Sequence, residues 1–330
     1  MIITRTPFRI SFAGGGSDLA NYYEKFGGAV VSTTIDKYVY LSMHPYFFKN
    51  GYFLKYSQTE NVQHLKDIRH NIIREVFKLY KIKGVDFNSS ADIPSGTGLA
   101  SSSAFTSGLI NLCNAYNETY KDKEEIAQEA CHVEINLLKE PIGKQDQYAC
   151  TYGGLNYIEF EQNGKVNIEK LFLTTEGHQK LENNLLMFYT GQTRAAGDIL
   201  SEQKKNTASD IQKIENLHKM VKLAKDLKNE FLHNRIDSIG EILHQGWLYK
   251  KELANGISNE FIDDHYQKAI KNGAVGGKLL GAGGGGFLLF YVPEKNQSKV
   301  RHALKDLKEL KFNFDNKGTN IIYYGKINKK

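Results

Sequence analysis

The chain has few of the residues that mark secreted or metal-stapled proteins. Its 330 residues include three cysteines, five prolines and one tryptophan. Cys113, Cys131 and Cys150 are odd in number and widely spaced, so they match neither a zinc site nor a disulfide framework and indicate a reducing compartment. No stretch approaches the roughly 18 apolar residues of a membrane helix, and the N-terminal run lacks the apolar segment of a signal peptide. We therefore expect a soluble, cytoplasmic protein with no membrane partner.

A large surplus of charge of one sign is also absent. Lys and Arg total 43 against 37 Asp and Glu, which gives a formal net charge of +6. The two signs are interleaved, as in the segment 121–125 (KDKEE), so no basic block marks a nucleic-acid site. The mild positive surplus suits a small anionic substrate. We expect a small-molecule substrate and no nucleic-acid partner, and the oligomeric state stays open.

The chain contains enough apolar sequence for two domains. Hydrophobic residues make up 41% of it, and its length suggests domains of about 150 residues each. Strand-like runs that precede long helical stretches favour an α+β fold over a regular alternation. A change of texture predicts an N-terminal domain of residues 1–180 and a C-terminal domain of residues 181–330. The predicted strands are 2–12, a pair within 29–43, 85–91, 154–160, 185–189, 287–292 and 320–324. The predicted helices are 67–80, one that starts at residue 101, 123–138, a long helical stretch over 197–250, and 298–310.

The segment 92–104 (DIPSGTGLASSSA) is the most informative one. Gly96 and Gly98 lie between a predicted strand and a predicted helix, and glycine both adopts positive φ and lets an anion approach the backbone. Ser101 to Ser103 occupy the first helical turn, where free N–H groups and the helix dipole bind anions. The alternative is an ordinary turn with a capping serine. Two spaced glycines and three serines exceed what a cap needs, so we predict a phosphate-binding loop.

Two common nucleotide-binding motifs do not fit. No Gly-Lys-Ser/Thr ends the segment 92–104, so it is not a Walker A loop. The run 281–286 (GAGGGG) matches G-x-G-x-x-G as a string. A predicted strand follows it rather than a helix, which excludes a dinucleotide-binding fingerprint.

Two acidic residues stand out. Glu134 lies on the apolar stripe of the predicted helix 123–138, and a buried carboxylate is costly unless it is paired, hydrogen-bonded or metal-bound. It is either such a functional group or a salt-bridged residue at the edge of the stripe. Asp146 follows a turn and sits near Lys144. It either orients a substrate hydroxyl or caps a helix.

Taken together, three segments resemble the three motifs of the GHMP kinases, the family of galactokinase, homoserine kinase, mevalonate kinase and phosphomevalonate kinase. They are the first motif, 6–18 (TPFRISFAGGGSD), the second motif, 94–103 (PSGTGLASSS), and the third motif, 278–287 (KLLGAGGGGF). They occur in the family's order, and the resemblance spans nearly the whole chain. Within the family, the first two motifs are most similar to D-glycero-D-manno-heptose 7-phosphate kinases. Fucose-type kinases share much of the pattern, and galactokinases differ in the first motif.

The resemblance implies a fold and a reaction. The fold is an N-terminal ribosomal-protein-like α/β domain with a left-handed βαβ unit and a C-terminal ferredoxin-like domain, with the site between them. The reaction is phosphorylation of the anomeric hydroxyl of the heptose 7-phosphate to the 1,7-bisphosphate, on the way to a GDP-heptose. ATP and Mg²⁺ are the implied cofactors. A fucose- or galactose-type sugar kinase and a catalytically silent sugar-binding regulator are the alternatives.

The resemblance also implies catalytic and metal-binding residues. Ser102 and Glu134 correspond to Mg²⁺ ligands, with Ser103 open as the alternative serine. Asp146 corresponds to the residue that faces the accepting hydroxyl, and Arg9 to the one that neutralises the transferring phosphoryl group.

Binding residues follow from the same resemblance. A substrate that carries a 7-phosphate needs a second cationic site, for which Arg194 is the candidate and Lys144 a weaker one. The implied cofactor-binding residues are Pro94, Gly96, Thr97, Gly98, Ala100, Ser101, Ser102 and Ser103. The implied substrate-binding residues are Gly15, Gly16, Ser17, Asp18, Arg194, Gly283 and Gly284.

Overall fold

The computed structural model describes residues 1–48, 50–191 and 196–326, and it mixes helices with two sheets as the sequence predicts. The strands are β1 (Ile2–Ala13), β2 (Gly28–Pro45), β3 (Tyr52–Lys55), β4 (Thr59–Val62), β5 (Val85–Ala91), β6 (Asn156–Phe160), β7 (Val166–Lys170), β8 (Leu185–Tyr189), β9 (Gly276–Leu279), β10 (Phe287–Tyr291), β11 (Lys308–Glu309), β12 (Phe314–Asp315) and β13 (Asn320–Tyr324). The helices are α1 (Ala20–Phe26), α2 (Asn71–Leu79), α3 (Ser101–Tyr116), α4 (Lys123–Cys131), α5 (Gln145–Tyr152), α6 (Thr175–Asn183), α7 (Ala196–Ser209), α8 (Ile211–Leu232), α9 (Ile239–Lys251), α10 (Glu260–Lys271) and α11 (Gln297–Ala303).

The first sheet has the strand order β13-β1-β2-β5-β3-β4, and β12 and β6 also pair with β2. Its centre is β2, a single strand of 18 residues. The prediction of a strand pair within 29–43 was therefore wrong. No glycine or proline interrupts that segment, and its β-branched and aromatic residues favour one continuous strand. β3 and β5 pair in parallel, and the connection between them carries α2.

The second sheet has the order β11-β8-β10-β9, and all its pairs are antiparallel. Counted along the chain, this is the 4-1-3-2 order of a ferredoxin-like domain, as the resemblance implies. The last strands, β12 and β13, return to the first sheet and pair with β2 and β1. The division of the chain at residue 180 therefore stays a prediction.

Helix α3 packs against β1 and β2 and is buried along most of its length. A Cβ on its Gly108 would lie 2.6 Å from Thr6 Oγ1, so the glycine allows the close approach of helix and strand. The helix starts after Ala100, which has φ 64°. The first turn of the helix faces the cleft described below.

The predicted helix 123–138 changes form partway. α4 ends at Cys131, and residues 132–137 form a π-helical turn in which the Leu138 N–H donates to the Val133 carbonyl at 3.0 Å. Such turns are rare and often mark functional sites. This one contains Glu134.

The long helical stretch predicted over 197–250 is three helices, α7, α8 and α9. The Asp210 side chain accepts a hydrogen bond from the Lys213 N–H at 3.3 Å and so caps α8. The three cysteines are buried free thiols. Within the described ranges, no helix is both long enough and apolar enough to cross a membrane.

Candidate active site

A cleft of about 330 Å³ lies where the three motifs meet. Its volume is in the range of small-molecule sites. The walls come from the turn after β1, the second motif with the start of α3, the segment that leads into α5, the third motif, and the C-terminal part of α9.

The second and third motifs pack backbone against backbone. Gly98 has φ 83°, and a Cβ there would lie 2.4 Å from the Leu280 carbonyl oxygen. Gly286 has φ 108°, and a Cβ there would lie 2.4 Å from the Thr97 carbonyl oxygen. Only glycine fits at both positions. The glycine runs therefore serve to join the two motifs at the cleft.

The N-terminus of α3 forms the anion-binding end of the cleft. The first backbone hydrogen bond of the helix runs from the Ala104 N–H to the Ala100 carbonyl at 2.9 Å. The N–H groups of Ser101 to Ser103 precede it, so they have no partner within the helix. All three serines line the cleft. Free N–H groups, serine hydroxyls and the helix dipole fit a nucleotide polyphosphate.

Glu134 is fully buried, and its carboxylate is hydrogen-bonded on both oxygens. Ser102 Oγ donates to Oε1 at 2.5 Å, while Ser103 Oγ and Gln147 Nε2 donate to Oε2 at 2.8 and 2.7 Å. Burial raises the pKa of Glu134, and these hydrogen bonds lower it. The edge-of-stripe alternative for this residue was therefore wrong.

The oxygens of Ser102 and Glu134 fit a hard divalent cation. In the described part of the chain, no group of three or more His, Cys, Asp or Glu side chains forms a metal site. Mg²⁺ suits such a sparse set, because it usually takes one or two protein oxygens and completes its shell with water and phosphate.

Arg9 and Asp146 form a bidentate ion pair beside the second motif. Arg9 Nε and Nη2 donate to the two Asp146 carboxylate oxygens, each at 2.8 Å. Arg9 Nη1 donates to the Gly98 carbonyl at 2.7 Å. The Arg9 side chain is 5% exposed and that of Asp146 is 30% exposed, so the carboxylate faces the cleft. Asp146 lies in the first turn of α5 and does not cap it, which excludes the capping alternative.

Asp18 is buried and holds the segment that precedes Asp146. Its Oδ1 accepts from the Gly16 N–H at 2.9 Å, and its Oδ2 accepts from the Gln145 N–H at 3.1 Å. Burial, and then the negative charge of Asp146, raise the pKa of Asp18, while the two backbone N–H groups lower it. Asp18 lines the cleft and fixes the turn from which Asp146 projects.

Two buried lysines, which the sequence analysis did not predict, also line the cleft. Lys250 Nζ donates to the Gly281 carbonyl, and Lys278 Nζ donates to the Phe12 carbonyl at 3.3 Å. Burial lowers the pKa of Lys250 to about 8 and also lowers that of Lys278. The sequence could have indicated that Lys250 is buried, because it lies one helical turn after Trp247, the sole tryptophan, and such a residue faces the same side of a helix. Lys278 is the first residue of the third motif, of which only the glycines were predicted to bind substrate.

The cleft brings most of the predicted residues together. Those that line it are Arg9, Gly15, Gly16, Asp18, Gly96, Gly98, Ala100, Ser101, Ser102, Ser103, Glu134, Asp146 and Gly283. Arg194 lies outside the described residues.

Lys144 and four other predicted residues that the structure describes do not line the cleft. Thr97 is buried, and its Oγ1 donates to the Pro94 carbonyl at 3.0 Å. Ser17 Oγ donates to the Gly14 carbonyl at 2.8 Å, and the Gly284 N–H donates to the Ile257 carbonyl at 3.0 Å. These four residues, Pro94, Thr97, Ser17 and Gly284, therefore stabilise the loops that carry the cleft.

Comparisons with known proteins agree with this arrangement. Residues 67–154 match the family model of the GHMP kinases N terminal domain, and residues 223–309 match that of the GHMP kinases C terminal. The chain is 31% identical over 318 residues to a D-glycero-alpha-D-manno-heptose 7-phosphate kinase of Campylobacter jejuni, which covers 92% of this chain and 94% of that protein. It is 26% identical over 230 residues to a bifunctional fucokinase/GDP-fucose pyrophosphorylase of Arabidopsis thaliana, which covers 68% of this chain and 22% of that protein.

The fold has solved relatives as well. The crystal structure of a D-glycero-D-manno-heptose 1-phosphate kinase from Bacteroides thetaiotaomicron matches with a TM-score of 0.81 and 23% identity, over 99% of this chain and 100% of that one. At that identity the likeness establishes the two-domain fold. From the two family models, the Campylobacter relative and the shared fold, it follows that the chain belongs to the GHMP kinase family and is a phosphotransferase.

Proposed function

We propose that the protein phosphorylates the anomeric hydroxyl of D-glycero-D-manno-heptose 7-phosphate from ATP, giving the 1,7-bisphosphate for GDP-heptose formation. One observation carries the proposal: the Arg9–Asp146 ion pair opens into the cleft beside the glycines of the second motif. The name of the Campylobacter relative supports the choice of substrate.

The arrangement of the chain's own residues suits phosphoryl transfer. Bound ATP supplies the phosphoryl group and Mg²⁺ offsets its charge, so the protein acts mainly by position and electrostatics. Asp146 accepts a hydrogen bond from the sugar hydroxyl and orients it, and takes its proton late. Arg9 holds that carboxylate in place and neutralises charge at the reacting centre. The N–H groups at the start of α3 bind the polyphosphate, and Ser102 and Glu134 hold the metal.

The first experiment tests the catalytic role of Asp146. Asp146→Asn keeps the shape of the side chain but removes its negative charge, so we expect kcat to fall by roughly 10²–10⁴-fold. Asp86→Asn is a matched control, because Asp86 pairs with Lys55 on the first sheet, away from the cleft. Activity near that of the parent would remove Asp146 from the mechanism. If the parent releases no ADP from Mg-ATP with any sugar, the protein is a silent sugar-binding regulator.

The second experiment tests the substrate. We expect kcat/KM for the heptose 7-phosphate to exceed that for fucose, galactose and mannose by at least about tenfold, which is roughly 1.4 kcal/mol. A preference for fucose would favour a fucose-type kinase and leave the kinase assignment standing.

A further inference from the structure

The two lysines of the cleft are buried without a counter-ion. Lys250 is 7% exposed and Lys278 is 5% exposed. Lysine is almost never this deeply buried unless its ammonium group is paired. Among the side chains that the structure describes, no carboxylate oxygen lies within 4.0 Å of either Nζ atom. The protein therefore holds two basic side chains in a place where a charge is costly.

Each ammonium group also has N–H donors that are not bonded to any of the described residues. An ammonium group has three N–H donors. Lys250 donates to the Gly281 carbonyl and Lys278 to the Phe12 carbonyl, and these are their hydrogen bonds to the described residues. Each lysine thus has donors left for a ligand that enters the cleft.

The backbone carbonyls that anchor the lysines belong to the parts of the chain that build the cleft. Gly281 lies in the third motif, where a Cβ on it would be 2.4 Å from Gly98 Cα. Phe12 lies on β1 and in the first motif, as does Arg9. Among the residues that the structure describes, the wall between them carries three basic groups, and only Arg9 is paired with a carboxylate. Repulsion from Arg9 adds to the burial that lowers the pKa of both lysines.

Of the two candidates from the sequence, Arg194 lies outside the described residues, and Lys144 does not fill this role. Lys144 Nζ donates to the Gly164 carbonyl at 2.7 Å and lies over the Tyr23 ring, 4.8 Å from its centroid. Its ammonium group is engaged there and does not line the cleft.

We propose that Lys250 and Lys278 form a phosphate-binding subsite on the wall of the cleft. Two ammonium groups match the charge of a phosphate dianion and supply several N–H donors to its oxygens. Binding of this anion would offset the cost of burying two charged lysines. The dianion is either the phosphate already on the sugar or the terminal phosphate of the nucleotide. The identity of the bound phosphate rests on the proposed function, because the sugar phosphate and ATP are the substrates of the proposed reaction.

Direct binding to the full-length protein tests the subsite without turnover. We would measure the Kd of inorganic phosphate by calorimetry for the parent and for Lys250→Met and Lys278→Met. Methionine keeps an unbranched apolar stem and removes the charge. We expect each variant to bind phosphate at least about tenfold more weakly, which is roughly 1.4 kcal/mol. Unchanged binding in both variants would overturn the proposal, and it would do so whether or not the protein is an active kinase.

Two further titrations identify the source of the phosphate. If the sugar phosphate occupies the subsite, the variants lose affinity for heptose 7-phosphate, and their affinity for a non-hydrolysable ATP analogue stays that of the parent. If the terminal phosphate of the nucleotide occupies it, the variants lose affinity for the ATP analogue and keep that for ADP. Parental affinity for all three ligands would refute the subsite.

A matched control and a stability measurement separate binding from folding. Lys251→Met changes the next residue of α9, whose Nζ pairs with Asp263 at 3.1 Å, and should leave phosphate binding unchanged. Lys250→Met removes a buried unpaired charge, so the ligand-free variant should unfold at the parent's temperature or above. A markedly lower unfolding temperature together with retained phosphate binding would make Lys250 a structural residue and contradict the proposal.

Discussion

Lys250 gives the cleft a pH dependence above neutrality. Burial and then repulsion from Arg9 lower its pKa to about 8, while the charges of Asp18 and Asp146 raise it. Burial and then repulsion from Lys250 lower the pKa of the neighbouring Lys278. Because the folded-state pKa lies below the ordinary value of 10.5, Lys250 is cationic below pH 8 and neutral above it. We therefore expect kcat/KM for the substrate whose phosphate occupies the subsite, the sugar phosphate or ATP, to fall as pH rises through about 8.

A pH profile between 6 and 10 measures this fall. Lys250→Arg is the informative variant, because a guanidinium group stays protonated throughout this range. The falling limb of the profile should move to higher pH in this variant. A parent profile that is flat from pH 7 to 10 would show that the charge of Lys250 does not matter to the reaction.

Ser102 and Ser103 differ in exposure, and this difference predicts separate effects. Ser102 is exposed to the cleft, whereas Ser103 is buried, although both donate to Glu134. Ser102→Ala should raise the Mg²⁺ concentration for half-maximal activity by about tenfold or more, since it removes an oxygen that faces the metal. Ser103→Ala should instead lower the free energy of unfolding by about 1–2 kcal/mol, because a buried acceptor loses a donor.

A Mg²⁺ titration and a denaturant titration of both variants check this pair of effects. If Ser103→Ala shifts the Mg²⁺ requirement and Ser102→Ala does not, the metal ligand is Ser103.

Several site residues could be predicted from the sequence because their chemistry is local. A carboxylate on an apolar stripe and serines at the start of a helix are visible in the order of residues, so Glu134 and Ser102 stood out, and the family resemblance implied their roles. Lys250 and Lys278 were missed, because the burial of a lysine depends on packing between distant segments. The ion pair of Arg9 with Asp146 joins β1 to α5 and was equally invisible as a contact.

At the level of secondary structure, the cleft is shaped by the close backbone contacts of Gly98 with Leu280 and of Gly286 with Thr97. We call these contacts between the second and third motifs the joint. Gly98→Ala would place a Cβ 2.4 Å from the Leu280 carbonyl oxygen at a φ of 83°. We expect a loss of roughly 1–3 kcal/mol in the free energy of unfolding and weaker nucleotide binding, because the loop must move away from the third motif.

Gly246→Ala is the matched control for this joint. Gly246 lies inside α9, where the nearest atom to an added Cβ is Leu223 Cδ1 at 3.8 Å. The substitution should raise the free energy of unfolding by about 0.5–1 kcal/mol, because alanine favours helix. Thermal unfolding and calorimetry with an ATP analogue compare the two variants. If both behave alike, the joint does not depend on the close approach of the backbones.

Some secondary-structure elements were predicted with correct boundaries, whereas helices α1, α5, α6 and α10 and several short strands were not predicted. β5 spans residues 85–91 as predicted, and α3 begins at Ser101 as predicted. The π-helical turn at 132–137 was missed, because its apolar spacing does not distinguish it from an α-helix. The short strands β3, β4, β7, β9, β11 and β12 were missed, because they are held by their neighbours in the sheets rather than by their own composition. The predicted helix 298–310 was too long, since α11 ends at Ala303 and β11 follows at 308–309.

For the whole molecule, the end of the described chain completes the first sheet. β13 pairs with β1, and the Thr319 and Thr6 hydroxyls lie 2.8 Å apart. The Thr319 N–H also donates to the Cys150 carbonyl at 3.1 Å, on the helix that carries Asp146. A chain that ends at residue 313 should therefore lose activity, and it should unfold roughly 10 °C lower because it loses at least about 3 kcal/mol.

Thermal unfolding and an activity assay compare this shortened chain with the full one. An equal unfolding temperature would mean that β1 is stable without its outer neighbour.

Because the last strands pair within the first sheet, that sheet cannot be completed on the ribosome until β13 has been made. β1 is made before its partner β13, which follows about 300 residues later, a delay of about 15–60 s at roughly 5–20 residues per second. We expect β1 to carry an unpaired edge throughout that interval. Stalled nascent chains that lack β13 should accordingly be cleaved within their first sheet by a protease that spares the released protein.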